Sequence, residues 1–141
     1  MRVRLPGVLA AVFVFAAAVP TFAHHGFGVE FDKNDCRDVK GNLTGLRWEN
    51  PHAYIDVTEK DADGKDVTWH LEMVTPNALN RNGSPRQDFL ANMGKHINAR
   101  MCRSLNKTES RGAAEYIQLL DGSIRLVGQQ VERLTPEQRT F

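Results

Sequence analysis

Hydrophobic and polar positions alternate with a period of two in several short segments, which predicts a protein built mainly of β-strands. Residues 53–59 (AYIDVTE) and 67–73 (VTWHLEM) each place apolar side chains on one face and polar side chains on the other. Asp63-Gly64 lies between them and is a strong signal for a hairpin turn. Further strands are predicted over residues 39–48, 96–103, 114–120 and 123–127.

Two short helices are predicted between the third and fourth strands. Thr75 precedes Pro76, and Ser84 precedes Pro85, so each pair resembles a capped helix start with proline in the first turn. Gly94 is placed to end the second helix. Gly41 and Gly45 interrupt the first strand, where glycines often mark bulges or sharp bends.

This order of elements predicts a small OB-like Greek-key barrel of five to six strands, with the helical segment between strands three and four. The alternative is an open antiparallel sheet packed on the helix. We assign the barrel domain to residues 39–127. An irregular arm is expected over residues 24–38 and a polar C-terminal tail over residues 128–141, of which the last seven, TPEQRTF, are expected to fray.

The first 23 residues have the layout of a secretory signal peptide. Arg2 and Arg4 precede a 12-residue apolar run over residues 8–19, Pro20 breaks the run, and Thr21 and Ala23 place small residues at positions −3 and −1. The run is too short to span a bilayer, so no transmembrane anchor is expected after processing. We predict cleavage after Ala23, with cleavage after Ala18 as the alternative, and a periplasmic or secreted protein that begins at His24.

The charge balance of the processed chain excludes two classes of partner. The full chain has 18 Lys and Arg against 17 Asp and Glu, and removal of Arg2 and Arg4 leaves a net charge of −1 on 118 residues. A near-neutral chain without a basic run lacks the electrostatic footprint of a nucleic-acid-binding protein. It also lacks a polybasic patch for a membrane surface.

Export and fold together predict a disulfide between Cys36 and Cys102. An exported protein folds in an oxidising compartment, where cysteines usually pair. An OB-like barrel pairs its first strand antiparallel with its fourth, which brings the start of one beside the end of the other. Cys36 precedes the first strand and Cys102 ends the fourth. The alternative is two buried free thiols.

Several motifs are similar to those of a family of small exported bacterial proteins, domain-of-unknown-function family 6152. The matching positions are His24-His25-x-Phe27, Glu30-Phe31-Asp32, Gly41, the WENPH of residues 48–52, Trp69-x-x-Glu72, Pro76-Asn77-x-Leu79 and Gly94. The chain departs from the family pattern at Gly83-Ser84, where Gly-Trp is usual, and its two cysteines lie outside the pattern. The resemblance implies this fold and export, and it implies no activity.

Strand directions predict that His52, Glu72 and His70 gather at one end of the barrel. Strand one runs into the ENPH turn, and strand three returns to it. A hairpin centred near Asp63 places Tyr54 opposite Glu72 and Asp56 opposite His70. An arm of 15 residues extends about 50 Å, which is long enough to carry the N-terminus to the same end.

An N-terminal histidine at this end would make a metal site. The α-amine and imidazole of His24 form a chelate, and nitrogen ligands of this kind favour copper(II) among the common divalent metals. His25, His52 and His70 would add imidazoles, and Glu72 a carboxylate. In the alternative, the terminus is solvated, His52 is a turn residue, His70 forms a surface pair with Asp56, and Glu72 is an outer-face carboxylate.

These observations predict an exported, non-enzymatic protein that binds a metal ion, copper(II) first, with no other cofactor. The alternative is a periplasmic interaction module that binds a protein or another envelope ligand, with the histidines incidental. A third interpretation is an oxidative copper enzyme, because copper at an N-terminal histidine can activate oxygen. His96, on the fourth strand, is interpreted as a surface residue.

Overall fold

A computed structural model describes residues 26–141, which fold into a six-stranded sheet with three short helices and a 3₁₀ turn. The helices are α1 (Phe27–Glu30), α2 (Pro76–Arg81) and α3 (Arg86–Ala91), and the 3₁₀ turn is Pro136–Gln138. The strands are β1 (Phe31–Arg47), β2 (Tyr54–Lys60), β3 (Asp66–Glu72), β4 (His96–Ser104), β5 (Arg111–Gln118) and β6 (Ile124–Leu126).

The sheet closes on itself into a barrel-like ring. The strand order is β3-β2-β1-β4-β5-β6, and β3 also pairs with β5. This last pairing is parallel, and the others are antiparallel. The ring β1-β2-β3-β5-β4 confirms the predicted mainly β, OB-like architecture, with α2 and α3 between the third and fourth strands.

The β2–β3 hairpin has the predicted register. Tyr54 lies opposite Glu72, and Asp56 lies opposite His70. The pairing of Lys60 with Asp66 at the other end centres the turn on Asp63, as expected. Gly64 supplies the positive φ of 79° that this turn needs.

Strand β1 begins at Phe31, so the prediction of an irregular arm is wrong for residues 31–38. Phe31 pairs with Ser104 and Cys36 pairs with Cys102, and the register shifts between these two pairs. The polar run Asp32-Lys33-Asn34-Asp35 forms this irregularity. A bulge breaks the alternation of apolar and polar positions, which is why periodicity did not reveal the strand.

Cys36 and Cys102 face each other across β1 and β4, with their sulfur atoms at disulfide distance. The pairing follows from the antiparallel β1–β4 ladder that the sequence predicted. Cys102 is fully buried, and Cys36 is half-buried. The linkage therefore joins the irregular start of β1 to the buried end of β4.

The interior of the ring is filled by alternate residues from five strands, and α2 and α3 each add one apolar side chain. Leu79 of α2 and Phe89 of α3 are fully buried, and the ring of Trp48 lies 5.8 Å from that of Phe89. The core side chains of the strands include Val39, Leu43, Ile55, Val57, Trp69, Leu71, Ile97, Met101 and Ile117.

The two helix starts differ in how they are capped. The Thr75 hydroxyl accepts a hydrogen bond from the Ala78 amide at 3.2 Å, as predicted. The prediction that Ser84 caps α3 is wrong, because Pro85 occupies the cap position. The buried Ser84 hydroxyl instead donates to the Leu126 carbonyl at 3.0 Å and so ties α3 to β6.

The C-terminal segment packs on the sheet as far as Phe141, so the expectation that residues 135–141 fray is wrong. Glu132 forms an ion pair of 2.8 Å with Arg100 of β4. The ring of Phe141 lies 5.3 Å from the ring of Tyr116 on β5. A string of polar residues gave no sign of these contacts, since each of them joins residues far apart in sequence.

None of the helices within residues 26–141 is long and apolar enough to cross a membrane.

Candidate metal site beside His52

His52 lies in the turn between β1 and β2 and is oriented by the backbone of the segment after β3. Its Nδ1 is 3.1 Å from the carbonyl oxygen of Met73. A carbonyl oxygen only accepts hydrogen bonds, so Nδ1 carries the proton and donates it. In the neutral ring, the lone pair is then on Nε2, the atom that a metal would bind.

Glu72 ends β3 and places its carboxylate between two cationic or ionisable groups. One oxygen, Oε1, is 3.7 Å from Nε2 of His52, and the other, Oε2, is 3.7 Å from the guanidinium of Arg111. The Glu72 side chain is 13% exposed. The predicted approach of His52 and Glu72 is therefore present. The Glu72 carboxylate has Arg111 as a second partner.

Tyr54 completes the polar surroundings of Glu72. Burial raises the pKa of the Tyr54 phenol, and the negative charge of Glu72 and a hydrogen bond with it raise the pKa further. Arg111 and Arg47 act in the opposite direction, and the Arg47 guanidinium lies 4.4 Å above the phenol ring. The phenol therefore stays neutral and acts as a hydrogen-bond partner of Glu72 at ordinary pH.

Arg111 ties the N-terminal end of the described chain to the same place. Its guanidinium donates to Oε2 of Glu30 at 2.8 Å and lies 5.5 Å from the ring of Phe31. Arg111 therefore bridges Glu30, at the end of α1, and Glu72, at the end of β3. Glu30 is thereby linked to the His52–Glu72 pair through Arg111.

His70 is engaged in the surface pair that was the alternative interpretation of this residue. Its Nδ1 is 2.7 Å from Oδ1 of Asp56, directly across the β2–β3 ladder. The His70 side chain is 57% exposed. His70 shares the outer face of β3 with Glu72, two residues along the strand, and its Nε2 is the atom left for another ligand.

The structure tests only part of the predicted ligand set. His24 and His25 lie outside the described residues, and their role as ligands stays a prediction. Within residues 26–141, no three His, Cys, Asp or Glu side chains are grouped closely enough to hold a metal ion. His52 and Glu72 are the two predicted ligands that come together, and His96 is exposed, as expected.

The sequence analysis missed Arg111 and the role of Glu30. Glu30 belongs to a motif that was recognised, but the motif gave no indication of its partner. Arg111 follows a polar loop and has no periodic signal around it. Its position beside Glu72 depends on the parallel β3–β5 pairing, in which Glu72 lies opposite Ala113. An explicit strand register for the closed ring would have placed Arg111 there.

Comparison with known proteins identifies a family and gives no function. The model of a family described as "Family of unknown function (DUF6152)" matches residues 11–112, which is more than half of the chain. No curated protein matches, and no solved structure matches. The match includes the turn of His52 and the whole of β3, and it confirms the resemblance seen in the motifs. The chain belongs to the DUF6152 family of unknown function.

Proposed function

We propose that this protein is an exported, non-enzymatic metal-binding protein whose ion, copper(II) first, is held by the mature N-terminus, His52 and Glu72. The observation that carries the proposal is the orientation of His52. Nδ1 donates to the Met73 carbonyl, which leaves the lone pair of the neutral ring on Nε2. The Nε2 atom lies 3.7 Å from Oε1 of Glu72. A ligand histidine typically donates its second ring N–H to a carbonyl in this way.

Two protein ligands on a closed ring of strands are too few for a tight site. The missing ligands would come from the N-terminus, where His24 offers an α-amine with an ordinary pKa of about 8 and an imidazole. Support for this comes from the contact of Glu30 with Arg111, which holds the start of the described chain beside Glu72. A site made of an amine, two imidazoles and a carboxylate binds copper(II) with higher affinity than nickel(II) or zinc(II).

The positive charge of Arg111 disfavours a metal ion beside Glu72. The contacts of Arg111 limit this repulsion. Its short contact, 2.8 Å, is with Glu30, whereas its distance to Glu72 is 3.7 Å. Glu30 is therefore the closer counter-ion of the Arg111 guanidinium. Glu72 has one oxygen toward Arg111 and the other toward His52, so a metal ion on the His52 side would meet the second oxygen.

Copper(II) affinity of the protein that begins at His24 tests the proposal. We expect His52→Ala to weaken binding by at least tenfold, because it removes the one imidazole ligand that the fold orients. One glycine added before His24 should weaken binding by at least as much, because it moves the amine out of the chelate. His96→Ala is the matched control on the exposed start of β4 and should leave the affinity within twofold.

The pH dependence adds a second signature. Histidine ligands must lose their protons before they coordinate, so copper(II) affinity should fall as the pH drops through about 6.5. Unchanged affinity in both the His52→Ala variant and the glycine-extended protein would reject this site. The interaction-module interpretation would then be the better one.

A further inference from the structure

Glu115 is a buried carboxylic acid in the middle of β5, outside the site described above. Its residue is 2% exposed. Arg100 pairs with Tyr116 and Met101 pairs with Ala114, so Glu115 is the extra residue of a β-bulge. A β-bulge changes the direction in which a side chain points, and bulges are common beside functional sites. The family match ends at residue 112, so Glu115 and the segment that covers it lie beyond the matched region.

Glu115 organises the C-terminal segment through its backbone and its side chain. Its carbonyl oxygen accepts hydrogen bonds from the amides of Val127 at 3.1 Å and Gly128 at 3.0 Å. Its Oε2 accepts from the Val131 amide at 2.6 Å. A side chain on Gly128 would overlap the backbone of β5, so the segment lies directly against the strand.

The second carboxylate oxygen has no partner. Oε1 of Glu115 is buried and accepts no hydrogen bond. An ionised carboxylate would leave a charged oxygen buried without a donor, which costs more free energy than leaving the hydroxyl of a neutral acid without an acceptor. This geometry favours the neutral acid.

The charged groups around Glu115 do not reverse that preference. Glu132 of the C-terminal segment repels a negative charge at Glu115, and Arg100 of β4 is committed to Glu132 and to Asp38 of β1. Arg139 donates to Gln130 at 3.2 Å rather than to Glu115. The titratable side chains that line the small space between β5 and the segment are Tyr116, Glu132, Arg133 and Arg139.

We propose that Glu115 is a pH-sensitive latch, which holds the segment of residues 129–141 against β5 when it is protonated and loosens that segment when it ionises. Opening the latch lets water reach both carboxylate oxygens. It also uncovers Tyr116, which is 3% exposed and packs against Phe141. The device therefore couples the acidity of the surroundings to exposure of the outer face of β4 and β5.

The direction of the pKa shift agrees with this geometry. Burial, as the largest cause, raises the pKa of Glu115 from 4.5 to about 7, although the Val131 and Gln130 amides act against it. When the segment opens, the carboxyl regains its ordinary value. The closed form thus binds more protons, so closure is strongest below about pH 4.5 and weakens as the pH rises toward 7.

Solvent exchange of the Val131 amide, measured by NMR between pH 5 and pH 8, tests the latch. The protection factor corrects for the intrinsic pH dependence of exchange. A shift from 4.5 to about 7 weakens closure by about 50- to 100-fold over this range. We expect the protection factor of Val131 to fall by that amount in the wild-type protein, while amides of β2 keep theirs.

Two variants and a direct titration keep the test decisive. Glu115→Gln stays neutral and should abolish the pH dependence, whereas Glu109→Gln, in an exposed loop, should retain it. The ¹³C shift of the Glu115 carboxyl in the wild-type protein should titrate near pH 7, and it serves even if the Gln variant does not fold. A midpoint near 4.5, or equal protection of Val131 at pH 5 and pH 8, would overturn the latch.

Discussion

Gly41 shows how strictly a single residue can be required where two strands approach closely. A Cβ at this position would overlap the backbone carbonyl of Thr58, on the neighbouring strand β2. The conflict is with main chain on a paired strand, and it is not relieved by a side-chain rotation. The same glycine belongs to the family motif, so the motif has a steric reason at this position.

We therefore expect Gly41→Ala to lower the free energy of unfolding by about 1–3 kcal/mol, the usual range for overpacking a tight interior. The midpoint of urea unfolding measures the change. Gly28→Ala is the matched control, because no atom lies within 4 Å of a Cβ at that position in α1. Equal unfolding midpoints for the two variants would show that β1 moves away from β2 without penalty.

At the residue scale, the cross-strand pairs at the His52 end could be predicted from the sequence, but the contacts that join these pairs to other segments could not. The partners Tyr54–Glu72 and Asp56–His70 follow from one turn and a period of two. The orientation of His52 depends on the Met73 carbonyl, and the Glu72 carboxylate also forms an ion pair with Arg111. Contacts of a loop with a distant strand have no local sequence signal.

At the scale of elements, the start of β1 pairs irregularly with β4 and is joined to it by a disulfide. The register shifts between Phe31 and Cys36, and ion pairs join this part of β1 to the loop after β4. Lys107, in the loop after β4, lies 2.6 Å from Asp35 and 3.2 Å from Asp32. The Cys36–Cys102 linkage ends the irregular part, and β1 pairs regularly with β4 from there on.

We predict that the protein contains this disulfide and no free thiol. Thiol titration of the unfolded, unreduced protein should find none, and titration after reduction should find two. The linkage joins residues 66 apart, and the chain-entropy relation predicts that it stabilises the fold by about 4 kcal/mol. A Cys36→Ser, Cys102→Ser double variant should therefore unfold at a clearly lower urea concentration. Two free thiols before reduction would contradict the pairing.

The order and type of the elements were predictable because each strand of the ring carries its own alternation and each turn its own residues. The boundaries were predictable to within a few residues, except where a bulge removed the alternation, as at residues 31–38 in β1. The packing of the C-terminal segment was not predictable, because it depends on Glu115 and Arg100, which meet partners more than ten residues away.

At the scale of the whole molecule, the closed ring places three distant parts of the described chain at one end: the turn of His52, the end of β3 and Glu30 at the end of α1. Arg111 joins the last two through Glu72 and Glu30. The family match covers all three parts, whereas Glu115 lies beyond it. The candidate site therefore lies within the region that the family model matches, and the C-terminal segment lies outside that region.

Native mass spectrometry of the exported protein tests the proposed metal site most directly, because one spectrum reports both where the chain begins and what it holds. After expression with its leader in a bacterial host supplied with copper, we predict a species of residues 24–141 with one copper ion. It should have two hydrogens fewer than the reduced chain, owing to the disulfide. Glycine-extended protein should lose the copper in the same spectrometer. A protein that begins at His24 and carries no metal, or one that begins at Val19 and holds copper equally well, would contradict the proposal.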